Sequence, residues 1–502
     1  MLKKYLLSFI FILSGLLANS QPYNYDMNKN CTQAFQHILL LKLDSAKMEI
    51  EKEKEQHPEN RIPFLLSNYV DILSIILHED EEAFHQYKDL KKKRLEEWRK
   101  GPENSPWYLS GQAQIKLQWA FARVLFDEYF TAATEINSAY HLLEENKKLH
   151  PDFLVDNMGI GILHAMIGVV PEQYQWAMEL FGLYGSIEQG LEEIKLQLET
   201  DSENVFSKEA LFYYTFIRLN LKTDTTRINE LLHFYQKDEY AYYVENSPIL
   251  HFAKAVVLLK KDNDAAITFL EKSPSHHSAI SFYYPTFLLG QSLLYRLDAD
   301  AENFLNKYIE NYPGKNFKKT ALQRLAWWHF IQSDTIAYRE KMQEISYIGA
   351  AVLDGDKVAA KESENAEDGY LPNVYLLRSR MLFDGHYFSR ALKELNRVDA
   401  VDFDTETRLE FYYRKARILH EMDSITKAET AYLLALQYGA DSDRYYAAKS
   451  ALKLGEIAEQ ENDFPSAVVY YKKVLDLDFD EYRKGIRAKA KAGLQRVDVS
   501  NN

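Results

Sequence analysis

Residues 445–477 read YYAAKSALKLGEIAEQENDFPSAVVYYKKVLDL. Apolar residues recur there at three- and four-residue steps, the spacing that gathers side chains on one face of an α-helix. Gly455 is followed twelve residues later by Ala467, then by Tyr471 and Val474, with Phe464 just before the second run. Only small side chains let two helix axes approach to about 8–10 Å. The stretch therefore predicts two antiparallel helices that meet at Gly455 and Ala467. The same offsets occur upstream: Ala416 precedes Ala428, Tyr432 and Ala435, and Ser379 precedes Ala391, Leu395 and Val398. The three starts lie 39 and 37 residues apart (455 − 416 and 416 − 379). Three consecutive units with one internal pattern are hard to obtain by chance.

This pattern resembles the tetratricopeptide repeat (TPR), a helical pair with a period of about 34 residues. Farther outward, Ala34 precedes Ala46 and Ile50, with Pro58 at the position of the repeat's closing proline. Ala120 precedes Ala132, Ile136 and Ala139. Gapped matches occur at Ala253–Leu270 and Leu289–Tyr308. The expected fold is all-α: a TPR-like α-α superhelix, or solenoid of antiparallel helix pairs. A non-repeating helical bundle is the alternative. A second resemblance rests on Gly159-Ile160-Gly161-Ile162-Leu163-His164-Ala165, Gly168-Val169-Val170-Pro171, Trp176, Leu180–Ser186 and Gly190-Leu191. This stretch resembles exported bacterial TPR proteins and, more distantly, the eukaryotic inclusion-body-clearance TPR family. Arg380-Met381-Leu382-Phe383-Asp384-Gly385 is similar to a later repeat start of that family. The resemblance implies a scaffold and brings no catalytic residue.

Composition bounds the function. The 502 residues are 46% hydrophobic and 27% charged, so the chain is neither disordered nor fibrous. Its 19 Gly and 13 Pro fall well below the roughly 35 and 25 of average usage, which favours long helices. Sixty basic against 74 acidic residues give a net charge of −14, which argues against nucleic acid as a partner. Met1–Tyr5 is basic, Leu6–Leu17 is apolar and Ala18-Asn19-Ser20 is small, the layout of a signal peptide cut at Ser20–Gln21. The expected product is exported, periplasmic or associated with the cell envelope. No integral membrane segment is expected after cleavage, and peripheral association with the envelope stays open. Cys31 does not follow a small-residue cleavage site, so a lipid anchor is not expected.

Chemistry-bearing motifs are sparse. His78 and His85 are seven apart, too far to share one ion on a helix, and His276-His277 falls in a loop. Asp476, Asp478 and Asp480 begin like a calcium loop, but Glu481 and Arg487 stand where Gly and Glu are needed. No metal or cofactor is expected. Cys31 has His37 six residues on, a weak basis for a dyad. In the glycine-rich segment 159–190, Gly159-x-Gly161 lacks the third glycine of a dinucleotide fingerprint. Close helix packing is the expectation there, and a slot for a ligand the alternative. Tyrosine doublets recur at 213–214, 242–243, 283–284, 412–413, 445–446 and 470–471. Neighbours on a helix point about 100° apart, so one of each pair is expected to pack and the other to reach a surface.

These readings divide the chain into a signal peptide (1–20), an N-terminal TPR-like region (21–225) containing segment 159–190, central degenerate repeats (226–345), a joint (346–369) and C-terminal repeats (370–497). Offsets from Ser379, Ala416 and Gly455 place Asn373, Arg380, Glu410, Tyr413, Arg417, His420, Lys449, Glu456 and Glu459 toward the inner groove of the last repeats. Arg380 and Arg417 can grip carboxylates bidentately. The expected function is a non-catalytic protein–protein interaction scaffold of the cell envelope that binds a segment of another protein. Two alternatives stand beside it. One is a binder of small molecules or glycans, with a pocket formed by segment 159–190, Trp119 and Trp176. The other is an all-helical enzyme of unrecognised type.

Overall fold

The helix pairs close on a common turn. In the computed structural model, which describes residues 23–222, 224–274 and 280–500, a left-handed residue stands seven positions after a residue at the packing point. Leu41 follows Ala34, Asp127 follows Ala120, Leu297 follows Gly290 and Ser333 follows Ala326; His386 follows Ser379, Asp423 follows Ala416 and Asn462 follows Gly455. An L-residue enters that region at a cost of about 1–2 kcal/mol. The helix pair that the turn closes offsets this cost. The expected signal peptide and the His276-His277 pair lie outside the described residues.

The described chain divides into two compact units. The first runs to Lys261 and adds 268–285 and 311–314; the second takes 262–267, 286–310 and the chain from 315 onward. The first unit contains α1 (Lys29–Leu39), α2 (Leu43–Gln56), α3 (Ile62–Ile76), α4 (Glu81–Tyr87), α5 (Leu90–Trp98), α6 (Pro106–Leu125) and α7 (Tyr129–Leu149). It continues with α8 (Asp156–Gly168), α9 (Glu172–Leu180), α10 (Ile187–Thr200), α11 (Val205–Leu221), α12 (Arg227–Phe234), α13 (Asp238–Asn246) and α14 (Pro248–Leu259). Helices α15 (Asn263–Leu270), α16 (Tyr284–Arg296) and α17 (Ala301–Asn311) give residues to both units. The second unit holds α18 (Lys318–Ile331), α19 (Thr335–Glu344), α20 (Asp354–Glu367), α21 (Val374–Asp384), α22 (Phe388–Leu395), α23 (Thr405–Glu421), α24 (Ile425–Tyr438), α25 (Tyr446–Gln460), α26 (Phe464–Asp476) and α27 (Arg483–Ser500). The fold is all-α, built from TPR-like antiparallel helix pairs.

The small-residue offsets mark real packing points. Ala34 and Ala46, Ala120 and Ala132, Ala416 and Ala428, and Ala467 are buried. In the second unit α21, α23, α25 and α27 touch in sequence as one layer, and each of α22, α24 and α26 packs on the first helix of the next pair. One pair escaped the pattern. Ala326 on α18 is followed at the expected distance by Tyr338 on α19, a fully buried ring where a small residue was sought. The tyrosine doublets sort largely as their 100° divergence requires: Tyr214, Tyr243, Tyr413, Tyr446 and Tyr471 are buried, while the partner of each is more exposed.

Segment 159–190 is packing. A Cβ on Gly161 would lie 2.6 Å from the Gly190 carbonyl oxygen, and one on Gly168 2.6 Å from the Ile187 nitrogen. Helices α8 and α10 approach closely because these positions lack side chains. The two tryptophans read beside this segment differ in setting. Trp119 is fully buried and donates its indole N–H to Asn68 Oδ1 at 2.8 Å, whereas Trp176 stands 65% exposed on α9.

Segment 346–369, read as a joint, lies wholly inside the second unit and carries α20, which packs on α18 and α19 through Ala359, Ser363 and Ala366. Its sequence looks linker-like because only one narrow face of the helix is buried. Cys31, weighed above as one half of a dyad with His37, is a core residue of α1. Asn28 caps that helix by accepting the Cys31 N–H, and burial, with Glu53 nearby, pushes the thiol up to about 12. A thiol held protonated in this way is a poor nucleophile.

Candidate partner-binding face

Helices α20, α21, α23 and α25 and the turn at 481–482 enclose a cavity of about 290 Å³ in the second unit. The first helix of each C-terminal pair supplies this wall because the small-residue seam faces the other way, into the hairpin. Asn373, Arg380 and Glu410 all line it.

Asn373 caps α21, its Oδ1 accepting the N–H groups of Tyr375 at 3.0 Å and Leu376 at 3.2 Å. Its side chain is thus committed to the backbone. The Arg380 guanidinium lies 4.5 Å over the Trp327 ring, which Arg324 also covers at 4.1 Å. Arg380 makes no hydrogen bond or ion pair among the described residues. Glu410 is buried, accepts from Arg414 Nε at 2.6 Å and has Arg444 Nη1 at 3.7 Å.

The other expected residues divide. Tyr413 is a core residue, packed on Tyr446 at 5.0 Å, because its ring turns into the seam between pairs. Arg417 stacks on Phe383 at 4.1 Å and has no ion pair among the described residues. His420 meets the Tyr432 hydroxyl at 3.4 Å, and burial, with Lys453 nearby, lowers its pKa. Burial, with Lys489 and Lys453 nearby, also brings the Lys449 ammonium down to about 8. Glu456 pairs with Lys453 at 2.6 Å. Glu459 takes two bonds from Arg496, at 2.7 and 2.8 Å, and one from the Tyr471 hydroxyl. Glu456 and Glu459 are therefore already engaged within the chain.

The offsets missed part of the wall. Arg414 stands three residues before Arg417, so helical spacing could have found it. Arg444, Tyr445 and Tyr446 open α25. Lys357, Lys361 and Glu362 come from α20, where the repeat pattern lapses and no offset exists to carry them. Together Lys357, Lys361, Arg380, Arg414 and Arg444 face Glu362, Glu410 and Glu481. Five cations and three carboxylates line this wall; Lys357 pairs with Asp354, Lys361 with Glu364, and Arg414 and Arg444 with Glu410, which leaves Arg380 as the cation without a direct ion pair among the described residues. Glu362 is held by the Trp327 indole N–H at 2.5 Å and by Gln323 Nε2 at 2.6 Å, which fixes the platform under Arg380. Such a face can bind carboxylates and aromatic groups. Among the described residues no group of three or more His, Cys, Asp or Glu is placed to hold a metal ion, and no helix is long and apolar enough to cross a membrane.

A family match agrees with the repeat reading. The family Iml2/Tetratricopeptide repeat protein 39 matches residues 73–281, a span that includes the glycine-rich segment. The Arg380–Gly385 stretch lies outside the match. No curated protein matches. The crystal structure of yeast Tom70 is similar at 12% identity, over 93% of this chain and 95% of that chain, with a TM-score of 0.28.

Proposed function

We propose that the protein is a non-catalytic interaction scaffold, exported to the cell envelope, which binds an acidic segment of another protein on the α20–α21–α23–α25 face. The observation that carries this reading is the state of two arginines. Arg380 and Arg417 are stacked on Trp327 and Phe383, and neither makes a direct ion pair among the described residues, although the charges of Glu362 and Asp384 act on Arg380. A guanidinium fixed on a ring keeps its N–H fork free for a bidentate carboxylate and loses little rotamer freedom on binding. The export leader read at 1–20 supports the envelope assignment.

Affinity capture from envelope extracts with the chain from Gln21 onward tests the proposal. The double variant Arg380→Glu, Arg417→Glu is expected to lose the captured partner, while Lys427→Glu, Lys472→Glu retains it. A partner set unchanged by the arginine reversals would refute the proposal.

A further inference from the structure

A cavity of about 170 Å³ lies in the first unit. Its walls come from α1, α3, α11 and α14, with Phe35, Ile72, Leu73, Phe212, Tyr213 and Leu250 among them. A cavity of about 150 Å³ with such walls accepts a molecule the size of benzene. One acidic group, Glu209, interrupts the apolar lining. The Tyr69 hydroxyl donates to Glu209 Oε2 at 2.8 Å, and no ion pair reaches this carboxyl among the described residues. Lys208 also lines the cavity, but its ammonium turns to the Ser202 carbonyl and lies 4.6 Å over the Tyr240 ring.

A carboxylate in an apolar wall without a cation is costly. Burial pushes Glu209 up to about 7, so the carboxyl is largely ionised only above neutrality, and a bound cation would favour its charged form. A cation entering the cavity would restore the balance, beside a lining that includes the aromatic residues Phe35, Phe212 and Tyr213. We infer that this cavity binds a small organic amine, its apolar body among the α1, α3, α11 and α14 side chains and its ammonium on the Glu209 carboxylate. The site is independent of the partner-binding face and stands or falls without it.

Isothermal titration of the full chain at pH 8 with benzylamine, and with benzyl alcohol as its neutral match, tests the inference. Benzylamine is expected to bind at one site, with benzyl alcohol at least about tenfold weaker. Glu209→Gln, which keeps the side-chain shape, is expected to reduce benzylamine to the level of the alcohol. Leu73→Trp, which fills the cavity, is expected to abolish binding of both. Equal affinity for amine and alcohol on the unmodified chain would overturn the inference without reference to any variant. So would full amine affinity in folded Glu209→Gln, or binding of neither probe.

Discussion

Tyr471→Ala is expected to destabilise the C-terminal repeats by about 3–5 kcal/mol. The ring is fully buried on α26 and sits where three helices meet. A Cβ on Gly455 of α25 would lie 2.7 Å from it, and one on Gly493 of α27 would lie 2.5 Å from it. Two glycines on two helices thus form the slot that the ring fills, and its hydroxyl bonds to Glu459. Truncation leaves a cavity that rigid helix backbones cannot close, and it takes a partner from Glu459. Urea unfolding followed by far-UV circular dichroism, with hydrogen exchange in 446–500 to localise the change, measures the effect. A loss under about 1 kcal/mol would show that the slot is not a packing point.

Gly190→Ala is expected to lower the stability of the first unit by about 3 kcal/mol. The added Cβ would lie 2.2 Å from the Gly161 carbonyl oxygen and 2.8 Å from the Ala165 nitrogen. Both are backbone atoms and cannot swing aside as a side-chain tip can, so α8 and α10 must separate. The sign decides the matter. In a helix interior without this contact, the same substitution would stabilise by about 1 kcal/mol, since alanine is the better helix former. A raised midpoint in thermal or urea unfolding would mean that the glycines of segment 159–190 do not serve close packing.

The helical class and the C-terminal pairs were legible because their packing points demand small residues at fixed offsets. Gly455, Ala416 and Ser379 each led to a buried partner on the next helix. The α18–α19 pair was hidden because the buried ring of Tyr338 occupies the position where a small residue was sought. The left-handed turn residues gave only a partial signal: Asp127, His386, Asp423 and Asn462 are of the types that enter that region most readily, whereas Leu41 and Leu297 are not. At the candidate face, Arg380 and Glu410 followed from repeat offsets. Tyr413 was misplaced because helical position alone does not say whether a ring turns into the seam or away from it. The α20 contribution was missed for a physical reason: a helix that buries one narrow face looks polar throughout.

The central claim is that partners dock on the α20–α21–α23–α25 face. Site-specific photo-crosslinking in envelope extracts tests it most directly, with the photoreactive residue at Tyr482, which lines the cavity and is 56% exposed, or at Val469 on α26, which is 64% exposed. A discrete adduct is expected from position 482, suppressed by Arg380→Glu, Arg417→Glu, and none from 469. An adduct from 469 with none from 482 would contradict it.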